Sequence, residues 1–356
     1  MSNRTTQGEQ AADPVVIGAS EAEEVVLAIL ERLGVPLDDA VIQARWLVEA
    51  ELRGHASHGL QRVRMLAARL ERGVANASAV PSLRWATDSV LLVDGDRGLG
   101  PVVGLAAIDA LVARAPATGI ALAAVRNANH LGLLAPYVER CTEAGRIGIA
   151  LTTSEALVHP WGGRQALVGT NPIAIAVPSS PGPFVLDMAT GAVSKGKIIS
   201  HRERGIELGD GWAIDRDGRP TRDPQAATDG AISPFGGAKG YALGLAIELL
   251  VAALTRSALG DEVRGTLDCE HASSKGDVFI CIDATLFGQH DLASYVSPYL
   301  KLLRESPPQP GSSGVAIPGD RARHERARRA EAGIELPAAL WRELCDLSDG
   351  AQAARA

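Results

Sequence analysis

Residues 120–152 read IALAAVRNANHLGLLAPYVERCTEAGRIGIALT. Residues 120–125 (IALAAV) are apolar without a break, the pattern of a strand buried on both faces. A polar loop follows over 127–132, then a helical period over 133–143 and a second buried strand over 147–152. Strand, loop, helix and strand in direct succession indicate an α/β core. In such cores, polar loops at the carboxyl ends of strands hold ligands. His130, in the loop Asn127-Ala128-Asn129-His130-Leu131-Gly132, is therefore a candidate acid/base or carbonyl-polarising group.

The pattern continues outward. Residues 90–93 (VLLV) and 102–114 read as a strand and a helix, and further strands are expected at 173–177, 184–188 and 277–283. Residues 205–235, rich in Gly, Asp and Pro, read as a long irregular connection. Residues 239–254 are apolar nearly all round and predict a buried helix. Upstream, Ser20 and Glu23 form a capping box before an apolar face that Gly34 ends. A second helix is expected from Asp38 or Asp39 to residue 52, and a third over 59–72. Downstream, helices are expected over 291–303, 320–332 and 337–347, with 307–314 (PPQPGSSG) as a linker. The expected organisation is a disordered tail over 1–18, a discontinuous helical domain over 19–85 and 290–347, an α/β domain over 86–289, and a tail over 348–356.

Composition narrows the functional classes. The chain has 356 residues, 46% hydrophobic and 22% charged, which excludes a long disordered chain. No uncharged apolar run reaches the roughly 18 residues of a membrane span, and the first residues (MSNRTTQGEQAADP) lack a secretory signal core. The balance of 35 basic against 42 acidic residues, net -7, argues against nucleic acid as the main partner. The basic run 321–329 (RARHERARR) reads as a solvated helix face. Cys141, Cys269, Cys281 and Cys345 lie far apart without a C-x-x-C pair. They read as reduced thiols of a cytoplasmic protein rather than as a zinc or disulfide framework.

Several motifs carry chemistry. Gly98-x-Gly100-x-x-x-Gly104 follows a strand, but its third glycine is one position late and the next strand ends in Val125-Arg126 rather than an acid. It is not a dinucleotide fingerprint, and its glycines read as turn and packing residues. Arg53-Gly54-His55-Ala56-Ser57-His58-Gly59, with Arg62 beyond it, combines a proton shuttle with guanidiniums suited to a carboxylate. Thr152-Thr153-Ser154 runs into His159-Pro160-Trp161-Gly162-Gly163, where paired glycines permit close backbone approach. Asp187, after an apolar strand, needs a buried partner. Gly236-Gly237-Ala238-Lys239 opens the apolar helix with free amides and a cation, a setting for an anion.

In this order, the segments ELRGHASHGLQRV, NANHLG, TTSEALVHPWGG, GTNPIAIAVP, VLDMATG, SPFGGAKGYALGLAIELL, KGDVFICID and AIPGD resemble the second-type malate/L-lactate dehydrogenase family. That family includes ureidoglycolate, sulfolactate and diketogulonate dehydrogenases and piperideine-carboxylate reductases. The resemblance spans residues 20–347. It implies a non-Rossmann α/β fold with a mixed central sheet and helical N- and C-terminal segments, binding NAD or NADP. It also implies a homodimer, no metal, and hydride transfer at C2 of a small 2-hydroxy/2-oxo acid.

The resemblance assigns roles position by position. His130 matches the proton acceptor of the ureidoglycolate branch. Ser57, His58 and Asp187 match a relay of the imine-reductase branch, and Arg62 matches a substrate-carboxylate ligand. Cofactor contacts match His130, Leu131, Gly132, Ser154, Met188, Ala189, Thr190, Lys239, Pro318 and Gly319. The expected mechanism has Arg62 hold the carboxylate while a histidinium, His58 in preference to His130, protonates the alkoxide and Asp187 orients that histidine. Two positions depart from the family: Ala56 replaces the usual Asp, and Asp320 stands where Glu is common. The alternatives are a reductase of cyclic or N-alkyl imino acids and a non-catalytic cofactor-binding sensor.

Overall fold

The apolar runs of the central segment pair into one sheet. The computed structural model describes residues 14–350. Its N-terminal part holds β1 (Val15–Ile17), α1 (Ala19–Arg32), α2 (Leu37–Leu52) and α3 (Val63–Glu71). Next come β2 (Ser82–Trp85), β3 (Val90–Gly98), α4 (Gly100–Thr118), β4 (Ile120–Ala128), α5 (Ala135–Glu143) and β5 (Ile147–Thr152). The chain continues through β6 (Ala156–Val158), β7 (Val168–Gly169), β8 (Ile173–Val177), β9 (Phe184–Met188) and α6 (Lys195–Glu203). Then follow β10 (Ala213–Ile214), β11 (Pro220–Thr221), α7 (Pro224–Asp229), β12 (Ala231–Ile232) and α8 (Ala238–Thr255). The last part holds β13 (Gly276–Ile282), α9 (Leu292–Arg304), α10 (Asp320–Ala332), β14 (Ile334–Leu336) and α11 (Ala338–Ser348).

The main sheet has seven strands in the order β2-β3-β4-β13-β5-β8-β9. Only β3 and β4 run parallel; the other pairs are antiparallel. Alternation along the strands gives each face its own core. Ala121, Ala123, Val125, Phe279 and Cys281 pack under α4 and α5. Leu122, Val278 and Ile280 face α8, with Ile247 and Val251. Both α4 and α8 are long and apolar enough to cross a membrane, and both pack against this sheet. The helical unit joins the two ends of the chain: α1 packs on α2 and α11, and α10 on α2.

Several expectations change. Residues 1–13 lie outside the described residues, but Val15–Ile17, assigned to the tail, form a strand on β14. α1 starts at Ala19 with Gly18 as its cap, so Ser20 does not cap it. The third helix is shorter than 59–72. Gly59 (φ -98°, ψ -143°) is not helical, so two 3-10 turns, Ala56–His58 and Leu60–Arg62, precede α3. The stretch 205–235 is not irregular: it supplies β10, β11, α7 and β12 to a five-stranded sheet β11-β10-β12-β6-β7 with its own core around Val158, Leu208 and Ile232. The segment 86–289 thus holds two sheets. β2 belongs to the main sheet, and α9 lies by the β8–β9 hairpin, where Ser297 Oγ accepts from the Ser180 amide at 2.8 Å. α8 is not buried all round: Leu243, Leu250 and Leu254 are 38%, 47% and 41% exposed. The basic run on α10 is partly pinned, with Arg326 paired to Glu49 and Arg329 donating to the Glu51 carbonyl.

Candidate active site

The turns between α2 and α3 are built by Glu51. Its buried carboxylate accepts from the Leu60 amide at 2.8 Å, and a Cβ on Gly59 would overlap it. Gly59 is therefore needed for close approach, and the chain bends so that His58 and Arg62 leave successive turns yet line one pocket. Arg53, nominated with them, points elsewhere: it pairs with Glu49 and, bidentately, with Glu139.

The other wall is the loop after β4. A Cβ on Gly100, at the start of α4, would overlap the His130 carbonyl, so glycine lets the helix seat directly on this loop. Tyr137 Oη donates to the Leu131 carbonyl at 2.7 Å, and the Gly132 amide (φ +75°) donates to His130 Nδ1 at 3.1 Å. The His58 and His130 rings lie 5.5 Å apart, centroid to centroid. Ser57 Oγ is 3.0 Å from His58 Nδ1.

Arg69 and Asn129 complete the polar lining. Asn129 Oδ1 accepts from Arg69 Nε and Nη2 at 3.2 and 3.0 Å, while its Nδ2 donates to the Gly98 carbonyl at 2.8 Å. The loop between α8 and β13 closes the pocket. Arg62 donates to the Thr266 carbonyl and Arg69 to those of Asp268 and His271. Glu155 holds the same loop by accepting from the Thr266 and Leu267 amides.

Burial and cations set the protonation states. Burial, then Arg62 and His55, push His58 down to about 4. Burial, then Arg62, His58 and Lys275, push His130 well below its ordinary value. Burial and Arg69 lower Arg62 to about 10, so it stays charged at neutral pH. Burial and the neighbouring cations thus favour the neutral form of both imidazoles in the unliganded pocket.

The expected partner of these rings, Asp187, sits elsewhere. Its Oδ2 accepts from the Leu134 and Ala135 amides at 3.0 and 2.8 Å, at the start of α5. Burial raises its carboxyl to about 6 against the pull of those amides. An anionic oxygen at a helix N-terminus is stabilised by the unsatisfied amides there, which explains the placement. Asp187 therefore anchors the helix that follows the His130 loop.

The remaining nominated positions gather along β9 and its continuation. Pro318 accepts from the Val185 amide, and Gly319 packs on Val185. Beyond Met188 and Ala189, Thr190 Oγ1 donates to the Thr170 carbonyl, and Thr170 Oγ1 lies 3.0 Å from Ser154 Oγ. Thr190 also packs on Gly244 of α8, whose first turn carries the exposed Lys239. Gly237 (φ +66°) caps α8 without a side-chain acceptor, leaving amides beside a cation. The amides at the start of α8, with Lys239 beside them, suit an anionic group. Asp320, in place of the larger acid, begins α10 bonded to Arg304 and Arg323. Among the described residues, no cluster of His, Cys, Asp and Glu has a metal-binding arrangement.

The sequence reading missed Gln43, Trp46 and Arg69. Arg69 lies seven residues after Arg62, a helical repeat that could have flagged it. Gln43 and Trp46 gave no local signal, because nothing in α2 tells a pocket-facing position from a core position.

The malate/L-lactate dehydrogenase family model matches residues 17–345. The L-sulfolactate dehydrogenase of Methanocaldococcus jannaschii is 36% identical over 336 residues, 94% of this chain and 96% of that protein. A delta(1)-pyrroline-2-carboxylate reductase of Ancylobacter novellus is 35% identical, covering 93% and 97%. A dehydrogenase structure from Sinorhizobium meliloti superposes with a TM-score of 0.90 at 51% identity, covering 94% and 98%. Fold, pocket and these similarities agree, and the chain belongs to the malate/L-lactate dehydrogenase family.

Proposed function

We propose that in this NAD(P)-dependent oxidoreductase His58 is the acid/base at C2 of a small 2-hydroxy/2-oxo acid, Arg62 anchors the carboxylate and His130 polarises the reacting oxygen. The observation that carries this reading is the pair of neutral imidazoles, 5.5 Å apart, beside the Arg62 guanidinium in one pocket. Arg62 holds the acid so that its C2 oxygen meets the rings, chiefly an entropic contribution. In oxidation, neutral His58 takes the hydroxyl proton while Ser57 bonds its Nδ1. In reduction, protonated His58 returns it. The substrate's anionic charge opposes the pull of Arg62 on the histidine and favours that protonated form.

Ser154, Met188, Ala189, Thr190, Lys239, Pro318 and Gly319 would hold the cofactor. His130, Leu131 and Gly132 would border its reactive end. When bound, the nicotinamide supplies or accepts the hydride at C2. The lack of a Rossmann fingerprint at Gly98–Gly104 is consistent with this placement. The test is absorbance of the reduced nicotinamide with a panel of 2-oxo acids and both cofactors. No consumption with any acid would refute the reading. A second reading, reduction of a cyclic or N-alkyl 2-imino acid, is favoured by the similarity to a pyrroline-carboxylate reductase. Adding methylamine or a cyclic imine to the same assay tests it.

The enzyme is further proposed to be a cytoplasmic homodimer. Leu243, Leu250 and Leu254 fall on one outward stripe of α8, an apolar surface that a second copy would cover. Sedimentation equilibrium giving a monomer at micromolar concentration would refute the dimer.

A further inference from the structure

We propose that Glu155 is a positioning residue for substrate binding: by gripping Thr266 it aims the Arg62 guanidinium, and so sets acid affinity without touching the acid. This rests on the reading that Arg62 anchors the substrate carboxylate.

The buried Thr266 is held from two sides. Glu155, one residue before β6, reaches it with a single carboxylate oxygen. That Oε1 accepts from the Thr266 amide at 2.8 Å, from Thr266 Oγ1 at 3.2 Å and from the Leu267 amide at 2.7 Å. From the other side, Arg62 Nη2 donates to the Thr266 carbonyl at 2.7 Å. An acid and a guanidinium far apart in the chain thus meet on one residue.

Among the described residues, the Thr266 carbonyl is the one hydrogen-bond acceptor of Arg62. A guanidinium carries five donors in a rigid plane, so the direction of that bond governs where the others point. Arg62 and Thr266 line the pocket, and Glu155 does not. Its carboxylate therefore acts on the pocket through Thr266.

The loop itself offers little to orient Thr266. Residues 263–275 lead into β13 outside any helix or strand. Asp268 closes the inner turn by accepting from the Gly265, Glu270 and His271 amides. Arg69 holds the far side, at the Asp268 and His271 carbonyls. The end that faces Arg62 is fixed by Glu155. Glu155 is also a negative charge acting on Arg62 and Arg69, against the effect of burial on both guanidiniums. Its two effects on an anionic ligand have opposite signs. Deleting a nearby negative charge strengthens the pull of Arg62 on a carboxylate, whereas deleting the bonds that aim Arg62 weakens binding.

The experiment measures KM for the reduced nicotinamide cofactor and for whichever of pyruvate, oxaloacetate and 2-oxoglutarate is turned over fastest. Glu155→Ala should raise the acid KM about 10- to 30-fold and leave the cofactor KM within about twofold. Glu155→Gln keeps an acceptor oxygen without the charge and should return the acid KM to within about threefold of wild type. Glu155→Asp keeps the charge on a shorter arm. It should raise the acid KM about three- to tenfold, and it carries the test should Glu155→Ala fail to fold. In an Arg62→Lys background, Glu155→Ala should add less than about twofold, because the group it aims is gone. An acid KM that falls or holds in Glu155→Ala, equal values for Ala and Gln, or fully multiplicative losses with Arg62→Lys would overturn the proposal. If no acid is turned over, the proposed reaction fails separately, and calorimetry of oxamate, an unreactive analogue of pyruvate, still decides. Binding weakened by Glu155→Ala and recovered by Glu155→Gln supports the positioning role; equal or absent binding overturns it.

Discussion

The Gly132 amide donates a hydrogen bond to Nδ1 of His130 across 3.1 Å. That bond needs a lone pair on Nδ1, so the ring's single proton sits on Nε2. His130 therefore offers the pocket a donor. The Nδ1 of His58 instead meets a hydroxyl, Ser57 Oγ, which can donate or accept. Its tautomer can change as a proton passes.

This division of labour predicts unequal losses. His58→Gln should lower kcat about 10²- to 10⁴-fold in both directions, the usual worth of a positioned acid/base. His130→Gln keeps a donor near the Nε2 position and should retain roughly a tenth of the activity. Steady-state kinetics on the two variants checks this, and equal losses would contradict it.

Arg62→Lys keeps a charge but loses the planar fork. The Michaelis constant for the 2-oxo acid should rise about 10- to 100-fold, with turnover changed only a few-fold. An unchanged constant would place the carboxylate elsewhere.

Asp187→Asn separates an anchor from a relay. As an anchor of α5, the carboxylate's loss should cost about 1–2 kcal/mol of stability while kcat stays within about threefold. Thermal unfolding and kcat measured on one preparation give the answer. A kcat loss of about 100-fold without a drop in Tm would restore the relay.

Acid sensitivity follows from His58. Its folded pKa, about 4, lies below the ordinary 6.5, so between these values the unfolded chain binds the proton and the folded chain does not. The stability present above pH 6.5 is thus lost progressively as pH falls toward 4, by about 3 kcal/mol for this group. Asp187, raised to about 6 from 3.8, acts oppositely, its cost easing as pH falls through 6. Urea unfolding of His58→Gln between pH 7 and 4.5 should show a shallower decline than the wild type. Parallel curves would mean that His58 titrates normally.

Much of this protein was readable locally. The apolar run Ile120–Val125, the helical period after Leu133 and the strand Ile147–Thr152 each state their own burial, because side-chain direction repeats with period 2 or 3.6. His58, Arg62 and His130 stood out as imidazoles and a guanidinium in glycine-bearing loops, but a structural histidine reads the same locally, and their proposed roles came from the resemblance of the ordered motifs to a family. Partnership was a different matter. β13 enters between β4 and β5 from well over a hundred residues away, and only that pairing brings the Thr266 loop over the pocket. Asp187 reads as an acid needing a partner, but two backbone amides of α5 satisfy it, and backbone donors have no sequence signature. The short strands of 205–235 draw their stability from β6 and from their own small core, so their local composition resembles a loop. The chain by itself determined which segments are buried and which side chains can do chemistry. Only the tertiary structure decided which groups meet, because a buried polar atom is indifferent to how far along the chain its partner lies.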